Sequence, residues 1–317
     1  MFKNKNLIQQ ILKISEQTAV ASFPFVGKND KMGADGVATD TLREGLNEID
    51  MRGVIVIGEG EMDEAPMLYI GEEVGTGNGD EIDIAVDPID GTTPCAKGLP
   101  GSCVVIALSE KGNMLNAPDM YMDKIAVGGG LPNGVIDITK SAKENIIAVA
   151  TAKNKPLSEM VVCTLERDRH NHIIDDAKEL GCELKLLGDG DVAGVIATTL
   201  DANDPEAVDI FIGKGGAPEG VVSAAALACL GGQMQATLTP EDDEQIERMK
   251  SMGLNDIDKI YNIDDLAKGE LLFCGTSITD GIFGRGVKQD GNTFTAESLI
   301  VSSLNRKVER FVGKHDG

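Results

Sequence analysis

Residues 83–93 of this chain read DIAVDPIDGTT, and this stretch carries the strongest structural signal in the sequence. Its apolar run predicts a short buried strand that ends at Asp87, turns at Pro88 and presents a second carboxylate at Asp90. Thr92 follows where a helix is expected to begin. Carboxylates at a strand end suit a hard divalent cation, and a helix N-terminus favours an anion. An ordinary turn followed by an N-cap has the same residues, so the stretch alone leaves both interpretations open.

The composition is typical of a soluble globular protein and excludes several classes of function. Of the 317 residues, 42% are hydrophobic and 26% are charged, and the net charge is −23. This acidity disfavours binding to nucleic acid or to anionic membranes. Because the chain has neither a membrane-spanning apolar run nor a signal-peptide core, we expect it in the cytoplasm. The absence of a G-x-S-x-G elbow and of a Walker A motif argues against a serine hydrolase and a P-loop kinase.

The six cysteines form no C-x-x-C pair, and several lie within apolar runs. In an intracellular chain of this length, such residues are usually reduced, buried and small apolar side chains. We therefore predict free thiols, with neither a disulfide framework nor a zinc site.

The order of apolar segments predicts an α/β protein with two domains. Strands and helices alternate between residues 160 and 230, which implies a parallel sheet in this part of the chain. A soft boundary is expected near residue 155, so the predicted domains are 1–155 and 156–317. The segment beyond residue 270 is β-rich, but its local pattern does not show which sheet it joins.

Further acidic groups occupy predicted turns and strand ends. Residues 58–64, GEGEMDE, directly follow an apolar strand, and ligands of open sheets gather at strand ends. A metal role is therefore favoured for Glu59. Glu219 follows a glycine-rich turn and Pro218, at a predicted helix start. It is either a ligand or a residue that complements the helix dipole.

Two guanidinium groups suggest a place for a phosphate. Arg167 and Arg169 follow a predicted strand and suit a phosphate clamp, although a surface ion-pair cluster has the same residues. Residues 188–191, GDGD, end the next strand and face the same edge if the sheet is parallel. The Asp and Gly residues of this segment then suit sugar hydroxyls, or else they form an N-cap turn.

Longer segments of the chain resemble class II fructose-1,6-bisphosphatase, the bacterial type whose cyanobacterial members also act on sedoheptulose 1,7-bisphosphate. The resemblance covers nearly the whole chain, follows the family's order, and is weakest after about residue 235. It implies a layered αβαβα sugar-phosphatase fold with mixed sheets, in the lithium-sensitive, metal-dependent superfamily. The matching segments are DK and ADG within 30–36, VIGEGEMDEAPMLYIGE at 56–72, DIAVDP at 83–88, NAPDMYM at 116–122 and GGAPEGVVSAA at 215–225.

The resemblance also implies roles for individual residues. Two or more Mg²⁺ or Mn²⁺ ions per site are implied, with the carboxylate ligands Asp35, Glu59, Asp87, Asp90 and Glu219. The implied catalytic residues are Lys31 near the reacting phosphate, Thr92 at the attacking water, Asp87 and Asp90. The implied substrate contacts are Asp90, Gly91 and Thr92 at the 1-phosphate, and Tyr121, Arg167, Asp168, Arg169, Asp189, Gly190, Asp191 and Gly216 at the sugar and the second phosphate.

The implied activity is hydrolysis of fructose 1,6-bisphosphate to fructose 6-phosphate in gluconeogenesis, by a homo-oligomer that binds neither nucleic acid nor membrane. One departure concerns Asp90, because many family members have Glu at this position. The sequence Asp-Pro-Ile-Asp-Gly-Thr is common in the related inositol monophosphatases. Sedoheptulose-1,7-bisphosphatase, an inositol-monophosphatase-like sugar phosphatase, and a non-catalytic regulator that binds metal or sugar phosphate therefore stay open as alternatives.

Overall fold

The computed structural model describes residues 5–58 and 68–316, which form an α/β structure with two mixed sheets. None of the described helices combines the length and the apolar character needed to cross a membrane. The helices are α1 (Lys5–Ser22), α2 (Lys31–Asn47), α3 (Thr92–Lys97), α4 (Ala142–Lys153), α5 (Asn171–Glu179), α6 (Asp191–Ala197), α7 (Ala217–Leu230), α8 (Asp243–Ser251) and α9 (Ile263–Leu266). The strands are β1 (Met51–Ile57), β2 (Glu73–Val74), β3 (Asp80–Asp90), β4 (Cys103–Glu110), β5 (Tyr121–Val127), β6 (Val161–Leu165), β7 (Glu183–Leu187), β8 (Ile210–Gly216), β9 (Gln233–Leu238), β10 (Tyr261–Asn262), β11 (Leu271–Ser277), β12 (Lys288–Asp290), β13 (Thr293–Ser302) and β14 (Val308–Asp316).

The first compact unit, Met1–Leu115 with Lys268–Gly317, is built on an eight-stranded sheet. Its strand order is β12-β13-β11-β4-β3-β1-β2, and β14 pairs with β13. Strands β1 and β3 run parallel, whereas the other described pairs are antiparallel. The apolar face of α1 packs into the same core as the sheet, because Leu7, Ile11 and Ile14 recur at helical spacing.

Strand β3 is the buried strand that residues 83–93 predict. It is buried from Ile82 to Asp90, and it is an inner strand of the sheet that pairs with β1 on one side and β4 on the other. Pro88 lies where the β3–β4 ladder shifts register, between Asp87 and Asp90. A proline is tolerated there, because a bulge needs no ladder bond from its missing N–H. The strand therefore delivers two carboxylates to its C-terminal end.

The second compact unit, Asn116–Ala267, contains a six-stranded sheet in the order β10-β9-β5-β8-β6-β7. Strand β6 runs parallel to both β7 and β8, so the parallel pairing expected from the βαβ alternation is confirmed for these strands. Strands β5, β9 and β10 pair antiparallel and make the sheet mixed. The predicted α/β class with mixed sheets is thus confirmed, while the layer order αβαβα over the whole chain stays a prediction.

The observed units differ from the predicted domains. The boundary expected near residue 155 lies inside the second unit, between α4 and β6. The chain leaves the first sheet after β4 and returns to it through β11, which pairs with β4 and β13. Such pairing joins distant parts of the chain and leaves no local sequence signal. The β-rich tail beyond residue 270 therefore completes the first sheet.

All six cysteines have free thiols, as the sequence predicts. Five are buried, and Cys182 is partly exposed. Burial raises the pKa of the thiols of Cys95, Cys103, Cys163, Cys182 and Cys274, to about 12 for Cys163 and Cys274. They therefore stay protonated at neutral pH and serve as small apolar side chains.

A buried carboxylate ties the end of α4 to the second sheet. Asp209 accepts hydrogen bonds from Lys153 Nζ at 2.5 Å, Lys155 Nζ at 2.7 Å and the Val161 amide at 2.8 Å. Burial by itself would raise the pKa of Asp209, but these hydrogen bonds outweigh burial and hold the pKa below its usual range. Folding therefore favours the ionised form of this side chain.

Asp209→Asn is expected to lower the free energy of unfolding by about 2 kcal/mol at pH 7, because two lysines lose a charged partner. Since the folded-state pKa is depressed, the carboxylate contributes stability above its unfolded pKa of about 3.9. That contribution is lost as the pH falls through the folded-state pKa. Urea unfolding at pH 7 and at successively lower pH should show the two proteins converging. A pH-independent gap, or an equal loss in the exposed control Asp201→Asn, would contradict this account.

Candidate functional site

The first unit places two predicted site residues at the C-terminal end of β3. Asp87 and Asp90 are 7% and 4% exposed. The Sγ atom of Cys103 on β4 lies 3.8 Å from an Asp90 carboxylate oxygen. Burial raises the pKa of the Cys103 thiol, and the charges of Asp90 and Asp87 raise it further. Asp87 Oδ1 accepts a hydrogen bond from the Ile89 amide at 2.9 Å, so this carboxylate fixes its own turn.

Helix α3 begins directly after β3, at Thr92. Gly91 precedes it with a φ of 84°, and a Cβ there would lie 2.9 Å from the Gly101 carbonyl oxygen, so glycine suits this turn on both counts. Gly91 is the N-cap residue of α3, and no side chain in the described structure caps the helix. The Thr92 hydroxyl instead donates to the Ile89 carbonyl oxygen at 3.2 Å. The N-cap interpretation of Thr92 is therefore wrong.

Asp35, on α2, belongs to the same group of side chains. Burial raises the pKa of Asp35, while a hydrogen bond with Thr92 and the charge of Lys31 oppose that rise. The Oδ1 atom of Asp35 is buried and has no hydrogen-bond partner among the described residues. Lys31 Nζ donates to Thr93 Oγ1 at 2.7 Å, which places the ammonium beside the start of α3.

The chemistry of Asp35 fits a divalent cation. Buried polar atoms nearly always have a partner, and hard cations take carboxylate oxygens as ligands. Glu59 lies outside the described residues, but β1, which precedes it, runs parallel to β3 and ends at the same edge of the sheet. Within residues 5–58 and 68–316, no three His, Cys, Asp or Glu side chains form a complete ion-binding group.

The second unit carries a cationic group around Tyr121. Arg169 Cζ lies 5.0 Å and Lys214 Nζ lies 5.2 Å from the centroid of the ring. Arg169 Nη2 also donates to the Lys214 carbonyl oxygen at 2.8 Å. Arg167 Nη2 lies 4.0 Å from Asp189 Oδ1, so the ends of β6 and β7 meet at one edge as predicted. These guanidinium and ammonium groups suit an anionic ligand.

A neutral histidine supports this cationic group. The buried His170 has Nδ1 at 2.8 Å from the Leu165 carbonyl oxygen, and the Lys214 amide donates to Nε2 at 2.8 Å. These two partners require the proton on Nδ1. Burial lowers the pKa of His170, which favours the same neutral form. The imidazole ring therefore links Leu165 on β6 to Lys214 on β8. This link lies beyond the point where the two strands pair, which on β6 is at Val162 and Cys163.

A buried ionic group joins the starts of α6 and α7. Lys124 Nζ contacts the Asp191 carboxylate and donates to the Gly216 carbonyl oxygen at 2.8 Å. Burial raises the pKa of Glu219 to about 7, Asp191 adds to the rise, and Lys124 opposes it. Oε2 of Glu219 and the hydroxyl of Ser223, one turn later, are both buried without a partner in the described part of the chain. Glu219 therefore has an oxygen available for a cation.

The remaining predicted residues lie in turns of the second unit. Asp168 is exposed and begins a short 3₁₀ turn after β6. Gly190 is the N-cap residue of α6, with a φ of 82°, and Asp191 is the first helical residue. The segment 188–191 is thus a turn before a helix, although its Asp191 side chain is engaged by Lys124 rather than capping the helix.

The side chains of these groups that were not singled out from the sequence include Lys124, Lys214 and Ser223. Lys124 had one local signal, since it interrupts an apolar strand, where an unpaired charge would be costly. Lys214 lies among glycines before a helix, but nothing local shows that it reaches Tyr121. Ser223 lies four residues after Glu219, so helical geometry places both on one face of α7.

The described structure is that of an α/β protein with buried carboxylates at its strand ends and a cationic group suited to an anion. A family model described as bacterial fructose-1,6-bisphosphatase, glpX-encoded, matches residues 5–315. The chain belongs to this family. It is 40% identical over 325 aligned positions to fructose-1,6-bisphosphatase 1 class 2 of Escherichia coli strain K12, with 98% of this chain and 95% of that protein covered. Fructose-1,6-bisphosphatase class 2 of Shigella flexneri gives the same values.

Comparison with solved structures gives more distant similarities. An inositol monophosphatase from Anabaena (Nostoc) sp. PCC 7120 is 19% identical with a TM-score of 0.35, and the match covers 81% of this chain and 93% of that one. An extragenic suppressor from Pyrococcus furiosus is 16% identical with a TM-score of 0.33, covering 61% and 70%. Membership of the family therefore rests on the sequence matches.

Proposed function

We propose that this chain hydrolyses fructose 1,6-bisphosphate to fructose 6-phosphate and inorganic phosphate, with Mg²⁺ or Mn²⁺ as cofactor. The observation that carries the proposal is the family match over residues 5–315. The 40% identity to class 2 fructose-1,6-bisphosphatases, over 98% of the chain, supports the same substrate. We also propose that the protein is a cytoplasmic homo-oligomer that acts in gluconeogenesis.

The negative charge of the substrate explains why the site needs carboxylates that hold metal ions. A phosphomonoester carries about two negative charges near pH 7 and repels an attacking nucleophile. Two or more divalent ions, when bound, neutralise this charge and activate water. Asp35 supports the proposal because its buried oxygen lacks a partner among the described residues. The proposed ligands are Asp35, Glu59, Asp87, Asp90 and Glu219.

The residues around Gly91 are proposed to orient the phosphate and the attacking water. The backbone amides that follow Gly91 bind the 1-phosphate, and Lys31, beside Thr93, adds positive charge. The Thr92 hydroxyl has one proton, for which the Ile89 carbonyl oxygen and Asp35 are both acceptors. Whichever acceptor takes this proton, a lone pair stays available on the hydroxyl oxygen. This lone pair accepts a hydrogen bond from the attacking water and so orients the water.

The second unit is proposed to bind the sugar and the second phosphate. The cation–π contacts of Arg169 and Lys214 with Tyr121 keep two positive charges close together, as a phosphate requires. Lys214 is an addition to the residues proposed from the family resemblance. The others are Tyr121, Arg167, Asp168, Arg169, Asp189, Gly190, Asp191 and Gly216.

Asp90 favours a second candidate, an inositol-monophosphatase-like sugar phosphatase. Asp is one methylene shorter than the Glu of many family members, which changes the reach of this ligand. A monophosphatase has no use for a second phosphate clamp, so the cationic group around Tyr121 favours the bisphosphatase. Sedoheptulose 1,7-bisphosphate satisfies the same clamp and stays an alternative substrate, and a non-catalytic regulator would bind these ligands without releasing phosphate.

The test is the initial rate of phosphate release by metal-stripped protein after Mg²⁺ or Mn²⁺ is restored. Fructose 1,6-bisphosphate, sedoheptulose 1,7-bisphosphate and inositol 1-phosphate are compared at matched concentrations. Metal-dependent release with a preference for fructose 1,6-bisphosphate is expected. Preference for inositol 1-phosphate, or tight binding without release, would overturn the proposal.

Arg169→Ala is expected to raise KM for fructose 1,6-bisphosphate by roughly 10- to 100-fold, because a charge-assisted hydrogen bond is worth about 1.5–3 kcal/mol. The rate at saturating substrate should change less, since Arg169 is placed at the second phosphate and not at the reacting one. Steady-state kinetics of the variant measures the effect. The control is Lys250→Ala, which removes a positive charge from α8 of the same unit. An unchanged KM would remove Arg169 from the clamp.

A further inference from the structure

We propose that Lys124 is a positioning residue for this hydrolysis: its ammonium joins the start of α6 to the start of α7 and so fixes the directions of Asp191 and Glu219. The role rests on the proposed function, in which Asp191 binds the sugar and Glu219 binds metal. Lys124 is enclosed by protein and acts through these residues.

The burial of Lys124 needs an explanation. Its side chain is 0% exposed, which is rare for lysine. A buried ammonium is strongly destabilising unless it is paired and hydrogen-bonded, and here it meets the Asp191 carboxylate and the Gly216 carbonyl oxygen. Replacement of such a pair by apolar side chains is often neutral or stabilising. Stability therefore gives little reason for the pair, whereas a positioning role does.

The contacts of Lys124 join three elements of the second unit. Lys124 lies on β5, Asp191 is the first residue of α6, and Gly216 is the N-cap residue of α7. If Asp191 rotated away, the buried ammonium would lose its charged partner and keep only the Gly216 carbonyl oxygen, which is strongly unfavourable. The ammonium therefore restrains the Asp191 carboxylate and the first turn of α7, which carries Glu219.

Two glycines make room for this group. A Cβ on Gly215 would overlap the Asp191 carboxylate and would lie 3.1 Å from Lys124 Nζ. A Cβ on Gly216 would overlap the Glu219 carboxylate. The φ of Gly216 is −66°, which any residue adopts, so the close approach of side chains explains this glycine. The side chains of Lys124, Asp191 and Glu219 thus converge beside the same two backbone residues.

The ammonium also separates like charges. The Asp191 and Glu219 carboxylates lie against the adjacent backbone residues Gly215 and Gly216, and the Lys124 ammonium contacts Asp191 there. Without it, repulsion between the two carboxylates is expected to turn them apart. A displacement of about 1 Å in a binding group is enough to lower efficiency by up to roughly 100-fold.

Lys124→Met tests the proposal, because methionine has a similar length but no charge. The KM of the folded variant for fructose 1,6-bisphosphate is expected to rise roughly 10- to 100-fold. Calorimetric binding of fructose 6-phosphate to metal-free protein should weaken in parallel, which gives a readout independent of catalysis. The matched control is Lys153→Met, since Lys153 pairs with buried Asp209 in the same unit. The control should lose stability but keep the wild-type KM and binding constant.

A second variant is used in case Lys124→Met does not fold. Lys124→Gln keeps N–H donors for Asp191 and Gly216 without the charge, and an intermediate loss of binding is expected. A folded Lys124→Met or Lys124→Gln protein that binds fructose 6-phosphate as tightly as wild type overturns the proposal. If neither variant folds, Lys124 acts in stability alone and the proposal also fails. A wild-type protein that hydrolyses no sugar bisphosphate would instead overturn the proposed function, and this role with it.

Discussion

Asp87→Asn is expected to lower the rate of phosphate release by more than about 100-fold at saturating metal. Loss of a residue that only hydrogen-bonds to a metal ligand typically lowers activity by about 10- to 100-fold, and loss of a ligand itself should lower it further. The substitution removes one negative charge from the end of β3 but keeps the size of the side chain. Asparagine Oδ1 can still accept the hydrogen bond from the Ile89 amide, so the turn should survive. Initial rates over a series of Mg²⁺ and Mn²⁺ concentrations measure the effect, together with the melting temperature.

Asp83→Asn is the matched control for this experiment. Asp83 is also buried on β3, and it accepts a hydrogen bond from the Gly112 amide at 2.6 Å at the opposite end of the strand. The same chemical change there should alter stability while the rate per folded molecule stays near wild type. If Asp87→Asn keeps near wild-type rates at saturating metal, the proposed metal role of Asp87 is wrong.

Thr92→Ala is expected to lower the rate by roughly 10²- to 10⁴-fold, the range expected for loss of a group that orients or deprotonates a nucleophile. Its effect on stability should be small, because Gly91 rather than Thr92 caps α3. The lost hydroxyl has one hydrogen bond to the backbone, at 3.2 Å to the Ile89 carbonyl oxygen. Steady-state kinetics and thermal unfolding of the same preparation separate the two effects.

Thr92→Ser provides the control, since serine keeps the hydroxyl and loses only a methyl group. Its rate should return to within about tenfold of wild type if the hydroxyl carries the function. A Thr92→Ala protein with a near wild-type rate and a lowered melting temperature would instead assign Thr92 to the structure of the turn. Equal rate losses in both variants would point to packing of the methyl group.

Local sequence chemistry predicted many of the elements. The glycine-rich turn and Pro218 predicted a helix from about residue 218, and α7 begins at Ala217. The apolar run before Asp87 predicted a buried strand, and β3 is buried along that run. Such predictions succeed because capping, turn preference and hydrophobic periodicity act over only a few residues. The same local reasoning left Thr92 open as an N-cap, whereas in the structure the helix begins at Thr92 and Gly91 is its N-cap residue.

Non-local contacts set the limit of prediction from sequence. The pairing of β11 with β4 brings the C-terminal segment into the first sheet. The observed units therefore do not divide near residue 155, where the sequence predicted a boundary. In the site, Lys214 approaches Tyr121 only because β8 pairs with β5. Lys124 and Asp191 belong to different elements, and no spacing rule relates them. Each of these features depends on strand order, which a local pattern does not encode.

The sequence by itself determined the α/β class, the two carboxylates at the end of β3, and the family to which the chain belongs, because these follow from local patterns and long motifs. The tertiary structure alone decided which side chains meet: Asp35 with Thr92, Arg169 with Tyr121, and Lys124 with Asp191. The physical reason is that burial and charge pairing depend on neighbours brought together by folding. When the packed chain surrounds them, a carboxylate acquires an oxygen without a partner among the described residues, and a lysine acquires a fully buried ammonium.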